Sequence, residues 1–176
     1  MAHVRPFKRE VMRAIRNAFA GVCREDGVTL HEARSIDDYG GDQERADARK
    51  LDEDSRWEQV PAEHIEKLDA VLSFLDAKGF RYYIPAYMIW TLRHLTVDGP
   101  CPDFNANSID ATFRHLEKLE HPEEIYSSRM TLLNSQQREA ISLFLLYASR
   151  DPNYGDEAKS SLDRFWRRFL PLPYRQ

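Results

Sequence analysis

A chain of 176 residues, 42% of them hydrophobic and 31% charged, is long enough to bury a core and falls in the range of globular domains. No run approaches the roughly 18 consecutive apolar residues that a membrane-crossing helix requires. The net charge of −4 argues against nucleic acid, because a domain that grips phosphates carries a basic balance overall.

The spacing predicts a first helix over residues 6–23. Pro6 suits a first helical position, and Phe7, Val11, Ile15, Phe19 and Val22 recur every three or four residues. Arg5, Arg9, Arg13 and Arg16 fall on another face, and Gly27 closes the segment. Thr29 and Glu32 form a Thr-x-x-Glu capping box for a short second helix that ends at Gly40-Gly41. Residues 41–56 are densely charged with almost nothing to bury, and read as a mobile charged loop. Trp57 then pins the chain back onto the core.

Pro61 opens a helix predicted to reach Lys78, with Ile65, Leu68, Val71, Leu72 and Leu75 inward and Gly79 in the left-handed position past its end. Phe80 to Ile84 reads as extended, since a residue before proline avoids the helical region. Pro85 restarts a helix to about Val97 whose first half is apolar all round, as in a central buried element. Residues 100–107 read as loop, 108–120 as helix and 129–133 as extended. Asn134 and Gln137 mark another helix start, leading into an apolar helix at 140–148, and a last helix spans 156–170 with Leu162, Phe165, Trp166 and Phe169 inward. The expected fold is therefore all-α: a single helical domain over 1–176, of about six or seven helices with minor extended segments.

Cys23 and Cys101 follow no metal-type spacing and read as free structural thiols in a reducing compartment, ahead of a disulfide or a reactive thiol. The start of the chain has no apolar signal core, so the expected location is cytoplasmic. Charge is segregated: residues 1–25 and 159–176 each carry +4, which leaves −12 in the middle. Such blocks can mark nucleic-acid contacts, but pairing of the two ends with the acidic middle is the favoured reading.

Few chemistries have a signature. The seven glycines form neither a phosphate-binding loop nor a dinucleotide fingerprint, and there is no Gly-x-Ser-x-Gly elbow. No two histidines lie four apart, and His31-Glu32 begins like a zinc-protease motif without its second histidine, so no metal, cofactor or catalytic residue is assigned. Asp37, Asp38 and Asp42 around Gly40-Gly41 could hold Mg²⁺ or Ca²⁺, but a solvated helix end explains them at least as well. Residues 120–124, Glu-His-Pro-Glu-Glu, read as a polar junction before an acid–base cluster. The arginines and aromatics of 164–169 read as a core face with solvated arginines before a single-strand binding surface.

The distinctive segment is 80–90, Phe-Arg-Tyr-Tyr-Ile-Pro-Ala-Tyr-Met-Ile-Trp. Several tyrosines cannot bury together unless their hydroxyls find partners, and Arg81 and His94 are near in sequence. Arg81 could also clamp a carboxylate or phosphate. The candidate ligand- or partner-binding residues are Arg81, Tyr83, Tyr87 and His94, set against a tyrosine-rich core with satisfied hydroxyls.

Asp38-Tyr39, Trp57, the run from Phe74 to Met88 with its Gly-Phe-Arg-Tyr-Tyr-Ile-Pro-Ala-Tyr-Met centre, and Leu133 to Gln137 together resemble a family of small uncharacterised bacterial proteins, over about residues 30–150. That resemblance implies a bacterial, cytoplasmic protein and transfers no activity. Two readings stand. One is a non-enzymatic protein-binding or regulatory module; the other is a small enzyme or ligand-binding protein built on Arg81, Tyr83 and Tyr87. The expected partner is another protein, with no membrane and no nucleic acid; oligomeric state is not readable.

Overall fold

The computed structural model describes residues 5–99, 106–117 and 129–175. Its helices are α1 (Lys8–Ala18), α2 (Leu30–Asp37), α3 (Asp42–Arg49), α4 (Ala62–Lys67), α5 (Ala77–His94), α6 (Ala106–Leu116), α7 (Ser135–Ala148) and α8 (Gly155–Arg164). Short 3-10 turns lie at Trp57–Gln59, Ala70–Phe74, Trp166–Phe169 and Leu172–Tyr174, and no strand occurs among the described residues. The all-α expectation holds.

Helix α5 is the axis. Thirteen of its 18 residues are buried, so it presents no polar face and the other elements must surround it. It packs against α1, α4, α6, α7 and the turn at Trp57. Asp76 caps its start by accepting the Gly79 N–H at 2.8 Å. Pro85 lies inside this helix. Having no N–H, it leaves the Arg81 carbonyl without its intrahelical donor, a cost that burial of the surrounding apolar residues outweighs. Phe80 to Ile84 is therefore helical, not extended.

Other boundaries move for similar reasons. The stretch expected as one helix from Pro61 to Lys78 breaks after Lys67, turns through the 3-10 segment at Ala70–Phe74, and restarts at Asp76. Its predicted core residues Ile65, Leu68, Val71, Leu72 and Leu75 are all buried. The break frees carbonyls that find donors elsewhere: Tyr87 Oη donates to Leu68 O at 2.7 Å, and the Arg129 guanidinium donates to the carbonyls of Leu72 (3.1 Å) and Ser73. Gly79 is not left-handed. It sits in the first turn of α5, where a Cβ would lie 2.4 Å from the Val28 carbonyl oxygen, so glycine is needed for close approach.

Toward the ends, α1 starts at Lys8, which leaves Phe7 outside the helix and 73% exposed, while Val11, Ile15 and Phe19 are fully buried. Residues 129–131 are helical instead of extended. The last helix stops at Arg164, because Phe165 leaves helical geometry (φ −140°), and a 3-10 turn carries the buried Trp166, whose Nε1 donates to Leu116 O at 2.6 Å. Residues 100–105 and the 120–124 cluster lie outside the described residues. Basic residues of both ends do reach the acidic middle, as in Arg24–Asp54, Lys8–Asp98 and Arg164–Glu117. No helix among the described residues is long and apolar enough to cross a membrane.

Residues 42–49, read as loop, form α3. It buries nothing, so its stability comes from local pairs. Glu44 Oε2 accepts the Gly41 N–H at 2.7 Å, Gln43 bonds Asp47 one turn on, and Arg49 reaches Glu32 of α2 at 2.6 Å. Past α3, Asp52 and Asp54 turn inward, while Lys50, Glu53 and Arg56 stay exposed.

Candidate functional site

The segment 51–56 crosses beneath the start of α2 and carries two aspartates into the protein. The Asp52 carboxylate is fully buried and the Asp54 side chain is 2% exposed. A buried carboxylate is costly unless paired, so each is surrounded by donors. Asp52 Oδ2 accepts the backbone N–H of His31, in the first turn of α2, at 2.9 Å. Its Oδ1 lies 2.9 Å from His31 Nδ1 and 3.8 Å from Nδ1 of His64, which α4 supplies. The two imidazoles meet edge to face with centroids 4.7 Å apart. The first His64 contact is too long for a hydrogen bond, and His64 Nδ1 is buried without a hydrogen-bond partner.

Asp54 anchors the other half. Arg24 Nη1 pairs with Asp54 Oδ2 at 3.1 Å and donates to Tyr83 Oη at 2.7 Å, while Tyr82 Oη donates to the Asp54 backbone carbonyl at 3.2 Å. The guanidinium also lies over the Tyr82 ring, 5.5 Å from its centroid. The turn that delivers Arg24 holds Glu25 in the left-handed region, at φ +57°. Even so, Asp54 Oδ1 and Arg24 Nε are buried with no partner. Burial pushes the Asp54 carboxyl above the ordinary carboxylate range, with the Asp52 charge adding to the rise, against the pull of Tyr82 and Arg24. Burial likewise holds the Tyr82 and Tyr83 phenols far above their ordinary values, so both stay protonated.

These two halves meet at a cavity of about 500 Å³ lined by Leu51, Glu53, Asp54, Ser55, Gln59, Pro61 and His64. Its acceptors are the two carboxylates of Glu53 and Asp54, since the Gln59 amide oxygen is already taken by the Ser55 N–H and hydroxyl and the Arg56 N–H. The cleft therefore suits a molecule with N–H or O–H groups to donate. Among the described residues, His31, Asp52 and His64 are the group that could hold a metal ion, with one donor atom from each lying within 4.8 Å of the other two.

The four residues singled out in the sequence do not converge. Tyr87 is fully buried and bonded to the end of α4. Burial raises its phenol well beyond its usual range. Arg81 is partly buried and reaches Glu25 at 3.4 Å, with its Nε buried and without a hydrogen-bond partner, and it does not line the cleft. His94 stacks on Trp90 at 4.0 Å and meets the Trp90 carbonyl at 2.7 Å near the end of α5. Only Tyr83 enters the cluster, as a supporting partner of Arg24. His31, Asp52, Asp54 and His64 escaped the sequence because 21 and 12 residues separate the three metal-type donors and no local spacing joins them. Asp37 and Asp38 pair with Arg34 of their own helix instead of gathering round a cation. Cys23 is a free and exposed thiol.

The architecture and the cluster together define an all-helical protein with a buried ionic cluster opening on a polar cleft. The chain belongs to the family described as "Family of unknown function (DUF6714)", which it matches over residues 7–170, so the family extends into both basic ends. Neither a curated protein nor a solved structure matches it.

Proposed function

We propose that this protein binds a small polar molecule, as an enzyme or receptor would, in the cleft between the 51–55 segment and α4. One observation carries the reading: Asp54, a nearly inaccessible carboxylate in the wall of a cavity of about 500 Å³, keeps Oδ1 unpartnered. Leaving a buried acceptor unmet costs about 1–3 kcal/mol, which marks this carboxylate as the group beside the cleft with most to gain from a ligand. Because Oδ1 has almost no accessible surface, a ligand meets it only as the cleft wall shifts. The lining favours a ligand bearing amine or hydroxyl donors. The ionic scaffold of Arg24, Tyr82 and Tyr83 fixes the carboxylate in place beforehand, which lowers the ordering cost of binding.

A thermal-shift and calorimetric screen of polyamines, aminosugars and polyols tests this. Saturable binding that Asp54→Asn removes, with helical content intact, is expected. Binding by none of these probes, or binding indifferent to Asp54→Asn, defeats the reading. A second reading, a protein-docking module, is favoured by Tyr39, which is 95% exposed and held at φ +60° between α2 and α3. A photocrosslinking residue at position 39 that captures one defined protein in cells would turn the balance toward it.

A further inference from the structure

We infer that His31, Asp52 and His64 form a binding site for a divalent transition-metal ion of the zinc class, with its open position toward the cleft. This deepens the cleft reading and rests on it only for what the open position faces; the ligand set stands on its own geometry.

Two imidazoles and one carboxylate are a donor set that zinc takes with three protein ligands, leaving a fourth position for water or substrate. In a tetrahedral site with bonds near 2.1 Å, neighbouring donors stand about 3.4 Å apart. The observed separations from Asp52 Oδ1, 2.9 Å to His31 Nδ1 and 3.8 Å to His64 Nδ1, bracket that value. Asp52 is fixed through its other oxygen by the His31 backbone N–H, so Oδ1 is held where both rings can share it. Capping of α2 accounts for Oδ2 alone. It gives no reason for a second histidine, from α4, to aim a buried and unpartnered nitrogen at the same carboxylate oxygen. An ion between the three would satisfy that nitrogen. His64 also lines the cleft, so the buried donors lie directly behind the cleft wall and the fourth position would face that side. The nitrogen-rich set selects against Mg²⁺ and Ca²⁺, which prefer oxygen.

The test uses the full chain, stripped with a chelator and titrated with Zn²⁺, Co²⁺ and Mg²⁺. One equivalent of Zn²⁺ or Co²⁺ should bind, Mg²⁺ should not, and bound Co²⁺ should show visible d–d bands. His31→Gln and His64→Gln should each weaken binding at least about tenfold, while His94→Gln leaves it unchanged. Should a variant fail to show a helical spectrum, paramagnetic shifts of the His31 and His64 ring protons by Co²⁺ in the unmodified chain decide the matter. No stoichiometric Zn²⁺ or Co²⁺ binding, or binding that both histidine variants leave untouched, overturns the assignment. Asp54→Asn separates the two proposals: it should keep the metal and lose the organic ligand. Absence of metal binding beside an intact organic ligand removes only the metal site, and the reverse removes only the cleft reading.

Discussion

Lowering the pH through the weakly acidic range should destabilise this protein through His115, a buried residue of α6. The ring is 3% exposed and has a defined proton arrangement. Nδ1 lies 2.7 Å from the Ala111 carbonyl, which can only accept, so Nδ1 carries the hydrogen. Nε2, 3.0 Å from Ser73 Oγ, then accepts from the hydroxyl in the neutral state. Protonation at Nε2 would create a buried cation. Burial lowers the ring's pKa from 6.5 to about 4, and the charges of Arg129 and Arg114 add to the fall against the Ala111 hydrogen bond. In the unfolded chain the ring titrates near its ordinary value of about 6.5. Above that value neither state holds the proton and stability is flat. Between about 6.5 and about 4 the unfolded chain takes up a proton that the folded protein refuses, so stability falls as pH falls. Below about 4 both states are protonated and the loss is complete. The difference in pKa corresponds to about 3 kcal/mol. Urea unfolding of the wild type and His115→Gln, each at about pH 7 and about pH 4, isolates this contribution, because the carboxylates titrate alike in both. The wild type should lose about 3 kcal/mol more than the variant. Parallel losses would refute the argument by showing that the ring protonates freely in the folded state.

Tyr87→Phe should cost about 1–3 kcal/mol in urea unfolding, since it strips the donor from a buried Leu68 carbonyl, and Tyr87→Ala should cost about 3–5 kcal/mol as a cavity opens. A near-neutral Tyr87→Phe would mean that water reaches the Leu68 carbonyl. Arg81→Ala should change stability by less than about 1 kcal/mol and leave ligand binding alone, because its pair with Glu25 is partly solvated. Loss of binding in calorimetry would return Arg81 to the site.

Where one physical signal dominated, the sequence was a sufficient guide to this fold. The Thr29–Glu32 and Asn134–Gln137 capping boxes form as their spacing requires, and Trp57 does pin the chain, its indole donating to Phe19 O at 2.9 Å. The failures came where two signals opposed each other. Gly79 reads as a helix end and Pro85 as a helix start by local rule, yet both lie inside α5, because an Asp76 cap and the burial of 13 residues outweigh one lost hydrogen bond. Residues 42–49 show the converse case. With no apolar face, they gave no periodic signal, and only the pairs along α3 and its link to Glu32 make them a helix.

The site was illegible for a related reason. Aromatic density around Tyr83 and Tyr87 is conspicuous in a sequence, but here it mostly measures burial, and a ring whose hydroxyl is satisfied has no bond left to offer. Charge density from 50 to 56 looks like solvated loop, and the stretch is loop, but Asp52 and Asp54 are buried where the chain brings Arg24 from one side and His31 and His64 from two others. What distinguishes a buried carboxylate from a solvated one is the set of donors that reach it after folding. That set depends on long-range packing: Asp54 meets Arg24 across 30 residues, and Asp52 meets His31 across 21. The aromatic segment still contributes, through Tyr82 and Tyr83, which hold the Asp54 backbone and the Arg24 side chain in place. It holds charges in position, and the buried side-chain atoms beside the cleft left without a hydrogen bond are Asp54 Oδ1, His64 Nδ1 and Arg24 Nε.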